Sequence, residues 1–348
     1  MPTTSMGSGD QMLNEERILL AYGSGGKMSH QLTQQLFLPC FDNAFLRSLD
    51  DAAIMEVPAG RLALTTDSFV VKPLFFPGGD IGKLAVCGTV NDLAMKGAKP
   101  LYLTASFIIE EGLRLAELRW VVESMARMAK EVGVQIVAGD TKVVEKGQAD
   151  SLYINTAGVG FVPPGLDLSG ANPRPGDVVI LSGAIGDHGI AVLSQREGLG
   201  FETSIASDCA PLHGLVEAIL SVSREVRALR DPTRGGLATT LNEFALQAGV
   251  AIRVEEEAIP VHEGVRAACE MLGYDPLYIA NEGKLVAIVP AETAEEILAR
   301  LRAERCGEEA AIIGTVLPGP AGRVTMRTRI GGTRIVDMLT GEMLPRIC

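Results

Sequence analysis

The run GDIGKLAVCGTVNDLAMKGAKP, residues 79–100, constrains the fold more than any other stretch of the chain. Asp80 stands where a helix N-cap accepts amide hydrogens. Ile81, Leu84, Ala85, Val90 and Leu93 recur close to the 3.6-residue period, and Lys96 and Gly97 close the pattern before Pro100. The spacing predicts a helix with an apolar side that must pack on something. A second helix is expected in LAELRWVVESMARMAKEVG, where Leu118, Val121, Val122, Met125 and Met128 share one side and read as plain core packing.

Strands surround these helices. RLALTTDSF reads as a short apolar strand running into polar Thr65, Thr66 and Asp67. VQIVAGDTK reads as a buried strand breaking into a polar loop, and SLYINTAGVGFVP as another strand. PPGLDLSGANPRPGD is rich in Pro and Gly without a period, and the domain junction is expected there. Beyond it, DVVILSG, KLVAIVP, EAAIIGTVLPG, GRVTMRT and GTRIVDM read as strands. DHGIAVLSQREG, GGLATTLNEFALQAG and AETAEEILARLRAER read as helices, and LHGLVEAILSVSREVRAL as one long helix.

At 348 residues the chain suits two domains. The expected class is α/β (α+β), each domain a mixed sheet with packed helices. The boundaries read as a disordered polar lead over 1–17, domains over 18–165 and 166–338, and a mobile tail over 339–348. Net charge is −12 and no Lys/Arg block stands out, which argues against nucleic-acid or anionic-membrane partners. No apolar run approaches the roughly 18–20 residues of a membrane span, and the start lacks a signal-peptide core. Six cysteines are scattered without a C-x-x-C pair, against a zinc site or a disulfide framework and in keeping with a reducing cytoplasm. The last residue, Cys348, is a thiol with no chain beyond it to cover it.

Polar residues collect where strands and helices are expected to stop. Asp50 and Asp51 sit in LDDAA, Asp67 in LTTD, Asp92 in VNDLA and Asp140 in AGDTK. One such Asp is a cap or turn residue; four clusters converging on one site need cations, and hard Mg²⁺ shared with phosphate oxygens meets that need. In AYGSGGKMS, Gly23, Gly25 and Gly26 allow close backbone approach to phosphate and Lys27 adds charge, or the glycines make a flexible loop. RDPTRGG joins an acid, a turn, Arg234 and two glycines before a helix, which suits an anion or an ordinary helix start. In GDHG, Asp187 or His188 reaches a ligand or caps a helix, and ANEGKL sets Glu282 before an apolar strand.

YGSGGKMS, DDAA, TTDSF, the 79–100 helix, GDTKVV, GDHG, RDPTRGG, NEGKL and the terminal PRIC, in this order, resemble the HypE family of hydrogenase expression/formation proteins. Those are the carbamoyl dehydratases of nickel–iron hydrogenase maturation, within the aminoimidazole ribonucleotide synthetase-like superfamily. The resemblance covers about residues 18–348. It implies a homodimer formed through the first domain, with ATP near the dimer interface. It implies a partner carbamoyltransferase that loads Cys348, ATP-driven dehydration of that group to a thiocyanate, and a scaffold complex of two maturation proteins that accepts the cyanide. By motif, Asp51, Asp67, Asp92 and Asp140 would bind Mg²⁺. Gly23, Gly25, Gly26, Lys27, Asn91, Asp92, Asp140, Thr141 and Arg234 would hold ATP. Cys348, Lys142 and Glu282 would be catalytic, with Lys142 stabilising charge and Glu282 moving the proton, or the reverse. Extended, the tail from Leu339 reaches about 33 Å. Two other readings stand beside this one: a selenophosphate synthetase-type phosphotransferase, although AYGSGGKMS lacks the Cys or selenocysteine of that relative, and a non-catalytic scaffold that presents the tail. One position departs from the family pattern: Leu49 stands where Gly usually precedes the paired aspartates.

Overall fold

Alternating inward and outward side chains lay down the first sheet. Strands β1 (Arg61–Phe69), β2 (Lys99–Glu110), β3 (Gln135–Val144) and β4 (Leu152–Val162) pair in the order β1-β4-β2-β3. β4 is antiparallel to both neighbours, and β3 is parallel to β2. The computed structural model describes residues 16–24, 27–47, 49, 52–56, 60–198 and 205–339.

One face of this sheet, with Leu103, Ala105, Phe107, Ile109, Leu152 and Ile154, is buried in a core shared with helices α1 (Ile81–Met95) and α2 (Leu115–Val132). Asp80 caps α1 as expected, accepting from the amides of Gly82 and Lys83 at 2.8 and 3.1 Å. Gly82 lets the helices approach closely, since a Cβ there would lie 2.4 Å from the Val121 carbonyl oxygen. On the opposite face Leu62, Leu64 and Ile108 stand 50%, 76% and 43% exposed.

The expectation of a one-sided α1 is corrected. It is buried nearly all round, with only Lys83 and Asp92 outside the buried set. The cause is position: the first sheet lies on one side and loops of the second half on the other, so polar Asn91 and Thr89 are enclosed as well.

The second half is built on a seven-stranded sheet. Its strands are β5 (Val178–Leu181), β6 (Ala228–Arg230), β7 (Ala251–Glu255), β8 (Val286–Val289), β9 (Ala311–Leu317), β10 (Arg323–Arg327) and β11 (Thr333–Ile335), ordered β11-β10-β7-β9-β5-β8-β6. Only β10 and β7 run parallel. Both faces are covered. Val179, Leu181, Val286 and Ile288 share a core with Leu237, Leu241 and Phe244, while Ile180, Ala287 and Val289 pack with Leu215, Ile219, Ile297 and Leu301. The helices involved are α3 (Asp187–Glu197), α4 (His213–Val222), α5 (Gly236–Ala248), α6 (Glu263–Leu272) and α7 (Ala291–Arg302). The long helix expected from LHGLVEAILSVSREVRAL ends at Val222: Ser223 turns extended, and Ala228–Arg230 leave to pair with β8. Residues 163–177 form neither helix nor strand, and Leu166 and Leu168 are buried beside Ala94 and Met95. No helix among the described residues is long and apolar enough to cross a membrane.

Candidate active site

The carboxylates expected at element ends lie inside elements instead. Asp67 is mid-strand, paired with Thr156, and β1 continues to Phe69. Asp92 is inside α1, and Asp140 is mid-strand in β3, which continues to Val144. Polar TTD and GDTK look like strand breaks, but strand pairing spends only backbone groups, so polar side chains can continue a ladder.

Asp67 and Asp92 meet between β1 and α1. Thr65 Oγ1 donates to Asp92 Oδ2 at 2.7 Å, and Thr89 Oγ1, one turn earlier on the helix, donates to Asp67 Oδ2 at 3.2 Å. Asp92 opens into a cleft of about 430 Å³ between the halves, whose walls include Thr65, Lys96, Ser169, Arg230 and Asp231. Burial and then the Asp92 charge push the Asp67 pKa up to about 6, against the pull of Thr89. Burial, followed by Asp92, pushes Asp231 up to about 7. Glu282, fully enclosed, is raised well above the usual carboxylate range by burial first, with Cys209, Asp231, Asp208 and Asp67 adding to it. Such a cluster of acids, only partly offset by Lys96, Arg230 and Lys284, is poised to receive positive charge, or to take up a proton near neutrality.

Asn91 ties α1 to the Glu282 loop. Its Nδ2 donates to the carbonyls of Ala210 and Glu282 at 3.1 and 3.5 Å, and its Oδ1 accepts from the Leu212 amide at 2.8 Å. Both ends of that amide are thus spent on backbone. Asn281 does the same on the far side, accepting from the Gly186 amide and donating to the Pro232 and Ile279 carbonyls.

A second constellation lies at the β3 edge. Gly23, Asp140, Thr141 and Lys142 line a pocket of about 350 Å³ with Phe37 and Phe107 among its apolar walls. Gly23 ends a short helical turn, Leu20–Gly23, tight against the Val143 amide. The two constellations do not merge within one chain. Register sets Asp140 beside Ser106 and Lys142 beside Ile108, on the face opposite to Asp67, so Lys142 and Glu282 stay apart.

Lys27 is exposed at the start of a helical run, and Arg234 is exposed in the turn before α5. Gly25, Gly26, Asp51 and Cys348 lie outside the described residues. His188 is buried, its Nδ1 2.8 Å from Ser207 Oγ, and Asp187 pairs with His262 at 2.9 Å. Cys40, Cys87, Cys209, Cys269 and Cys306 are free thiols. Asp231 was overlooked as a site residue, although RDPTRGG contains it; an Asp before Pro reads as a turn former. Thr65 reads only as part of a polar strand end, and nothing in the sequence singles out Thr89.

The sequence and fold match known proteins along nearly the whole chain. The pattern of the AIR synthase related protein, N-terminal domain, fits residues 49–162, and that of its C-terminal domain fits residues 174–327. Carbamoyl dehydratase HypE of Azotobacter vinelandii is 58% identical over 336 residues, which cover 97% of this chain and 98% of that protein. The chain belongs to the HypE family of carbamoyl dehydratases. The HypE of Cupriavidus necator is 57% identical over 95% of each chain. A crystal structure of hydrogenase maturation protein HypE in complex with ATP superposes with a TM-score of 0.92, at 53% identity, over 95% of this chain and 99% of that one. HypE in a crystallised HypE–HypF complex superposes with a TM-score of 0.78, at 52% identity, over 88% of this chain and 99% of that one. Thiamine-monophosphate kinase from Stenotrophomonas maltophilia, 20% identical with a TM-score of 0.61, shares the fold.

Proposed function

We propose that this HypE-family chain is an ATP-dependent carbamoyl dehydratase acting on its own terminal thiol, in the service of nickel–iron hydrogenase maturation. The observation that carries the reading is Glu282, a buried carboxyl with no hydrogen-bond donor to its side chain among the described residues, surrounded by the acids Asp67, Asp208 and Asp231. A carboxyl withdrawn from bulk water is a stronger base once a substrate N–H reaches it.

The substrate is a thiocarbamate on Cys348, R–S–C(=O)–NH₂. ATP supplies the phosphoryl group that makes the carbamoyl oxygen a phosphate leaving group, with Mg²⁺ offsetting the negative charge that collects there. Glu282 takes one N–H proton, the C–O bond breaks, and a C≡N bond forms as the second N–H proton is lost. The oxygen leaves in phosphate, and the sulfur keeps the thiocyanate carbon. Lys142 holds its positive charge toward the transferred phosphoryl group, and the pocket beside Thr141, Phe37 and Phe107 suits a flat nucleotide base. Gly23, Gly25, Gly26 and Lys27 would take the phosphates, and Arg234 would add a cation. Asn91 acts from behind, holding the Glu282 loop against α1.

The donor set suits Mg²⁺. Asp67 and Asp92 offer hard oxygens, and their mutual repulsion is what a cation relieves. Mg²⁺ is held by one or two carboxylates while keeping several waters and taking phosphate oxygens. Asp51 and Asp140 complete the proposed set. Asp140 reaches it from a second copy of the chain, and the exposed Leu62, Leu64 and Ile108 support a homodimer there. A loading carbamoyltransferase, which the relative's complex with HypF supports, and a cyanide-accepting scaffold of two maturation proteins complete the cycle, in the cytoplasm.

Intact-mass spectrometry of the full-length chain with carbamoyl phosphate, ATP and the transferase tests the reading. The expected gain is about 43 Da, falling to about 25 Da on dehydration. Cys348→Ala should show neither, and Glu282→Gln should stall at the first. Thiocyanate on Cys348→Ala, or unslowed turnover by Glu282→Gln, would reject it.

A further inference from the structure

Glu282 has no side-chain hydrogen bond among the described residues to hold it, so its reach is set from the backbone. That backbone is gripped by one residue of a distant loop. Asp208 Oδ1 accepts from the Glu282 amide at 3.1 Å, and Asp208 Oδ2 accepts from the Gly283 amide at 3.2 Å. The two loops touch so closely that a Cβ on Gly283 would lie 1.8 Å from the Asp208 carbonyl oxygen, which explains the glycine. The Ala210 amide returns a bond to the Glu282 carbonyl, so the residue is held on both sides of its Cα.

The Asp208 carboxylate is 2% exposed, and Lys284, 12% exposed, stands 3.6 Å away to balance its charge. A charged acceptor buried against two neutral amides forms bonds of roughly twice the ordinary strength. We infer that Asp208 is the positioning residue for Glu282, fixing through the 282–283 amides where the carboxylate meets the substrate N–H. The inference rests on the reading of Glu282 as the proton acceptor. The arrangement leaves the Glu282 side chain free for chemistry while removing freedom from its main chain, which a direct hydrogen bond to the carboxylate would not do. Asn at 208 keeps the shape but presents an NH₂ to one of the two amides, so one bond is lost and a donor faces a donor.

Single-turnover dehydration of the carbamoylated full-length protein, followed by mass, tests this with ATP affinity measured in parallel. Asp208→Asn and Asp208→Ala should slow dehydration by about tenfold or more while the ATP Kd stays within about twofold, because displacement of a catalytic group of order 1 Å costs rate and not binding. Hydrogen exchange over residues 280–286 should quicken in both variants. Rates within twofold of wild type, with Glu282→Gln slow, would overturn the inference and leave the Glu282 reading intact. Rate and ATP affinity falling in step would also overturn it, since that marks general loosening. Glu282→Gln turning over at the wild-type rate would remove both. If neither Asp208 variant folds, the wild-type protein decides: Glu282 and Gly283 amides in the slowest exchange class support the clamp, and unprotected exchange rejects it.

Discussion

Asp67 and Asp140 stand on opposite faces of one four-stranded sheet. Asp67 pairs with Thr156, Thr156 with Ala105 and Ala105 with Gly139, and Asp140 is one residue further along β3. A single step along a strand carries a side chain through the sheet. The proposed metal–phosphate site, using both acids, would draw them from the two chains of the proposed homodimer. Asp67→Asn and Asp140→Asn should each abolish dehydration as homodimers. Mixed and allowed to exchange subunits, they should regain about a quarter of wild-type activity: half the dimers are hybrid, and each hybrid has one intact site of two. No recovery after verified exchange would rule out the shared site.

Leu49 occupies left-handed backbone at φ +54°, in the position where the resemblance leads one to expect glycine. It is 47% exposed, so its side chain gives back little burial for that conformation. Left-handed geometry costs a non-glycine residue about 1–2 kcal/mol. Leu49→Gly should therefore raise stability by about 1 kcal/mol net of the added freedom of the unfolded chain, read as a higher denaturant midpoint with unchanged slope. A lower midpoint would mean that the Leu49 contacts in the β3-edge pocket outweigh the strain.

The same position shows what was legible in the sequence. The departure at Leu49, the Asp80 cap and the alternating strands were visible because each is a local backbone requirement. The two-domain layout followed from the junction at 163–177, where no period survives. Asp67 and Asp140 misled, since a polar side chain on an edge strand resembles a strand end when the partner strand is unknown. The enclosure of Asn91 and Thr89 was invisible for a related reason: their partners, Leu212 and Thr156, lie over sixty residues away. β7 and α6 went unread altogether, the first because AIRVE is short and carries charges at Arg253 and Glu255. Asp231 was in view but ordinary until the fold set it across the cleft from Asp92.

Asp231 makes stability pH-dependent in a definite direction. Its folded pKa, about 7, lies above the unfolded value near 3.8, so the native state holds the extra proton between those values. Stability from this group is present at low pH and lost as pH rises toward 7 and beyond, where the buried charge opposes folding. Asp231→Asn should raise the melting temperature of the nucleotide-free protein at pH 8 by a few degrees and change it little at pH 5. The stabilisation gained on adding Mg²⁺ and ATP should shrink in the same variant. An equal shift at both pH values would show that the effect is packing and not charge.

His262 bridges three elements of the second half, and its contribution also falls as pH rises. Its Nδ1 lies 2.9 Å from Asp187 at the start of α3, and its Nε2 lies 3.1 Å from Glu309 before β9, while its own position caps α6. The hydrogen bond to Asp187 raises its pKa above the usual imidazole value, burial opposing, with the Asp187 and Glu309 charges adding. A base whose folded pKa is raised contributes fully below the unfolded value, near 6.5, and loses that contribution as pH rises through the folded one. Asp187 sets the acid limit, because burial raises its own pKa despite His262. The clamp should thus be strongest near pH 6. The site is half open to solvent, so the effect is small, within about 1 kcal/mol. His262→Gln should lower the melting temperature most near pH 6, the gap narrowing as pH rises. A gap that stays constant, or widens with pH, would show that the imidazole holds these elements as a neutral ring.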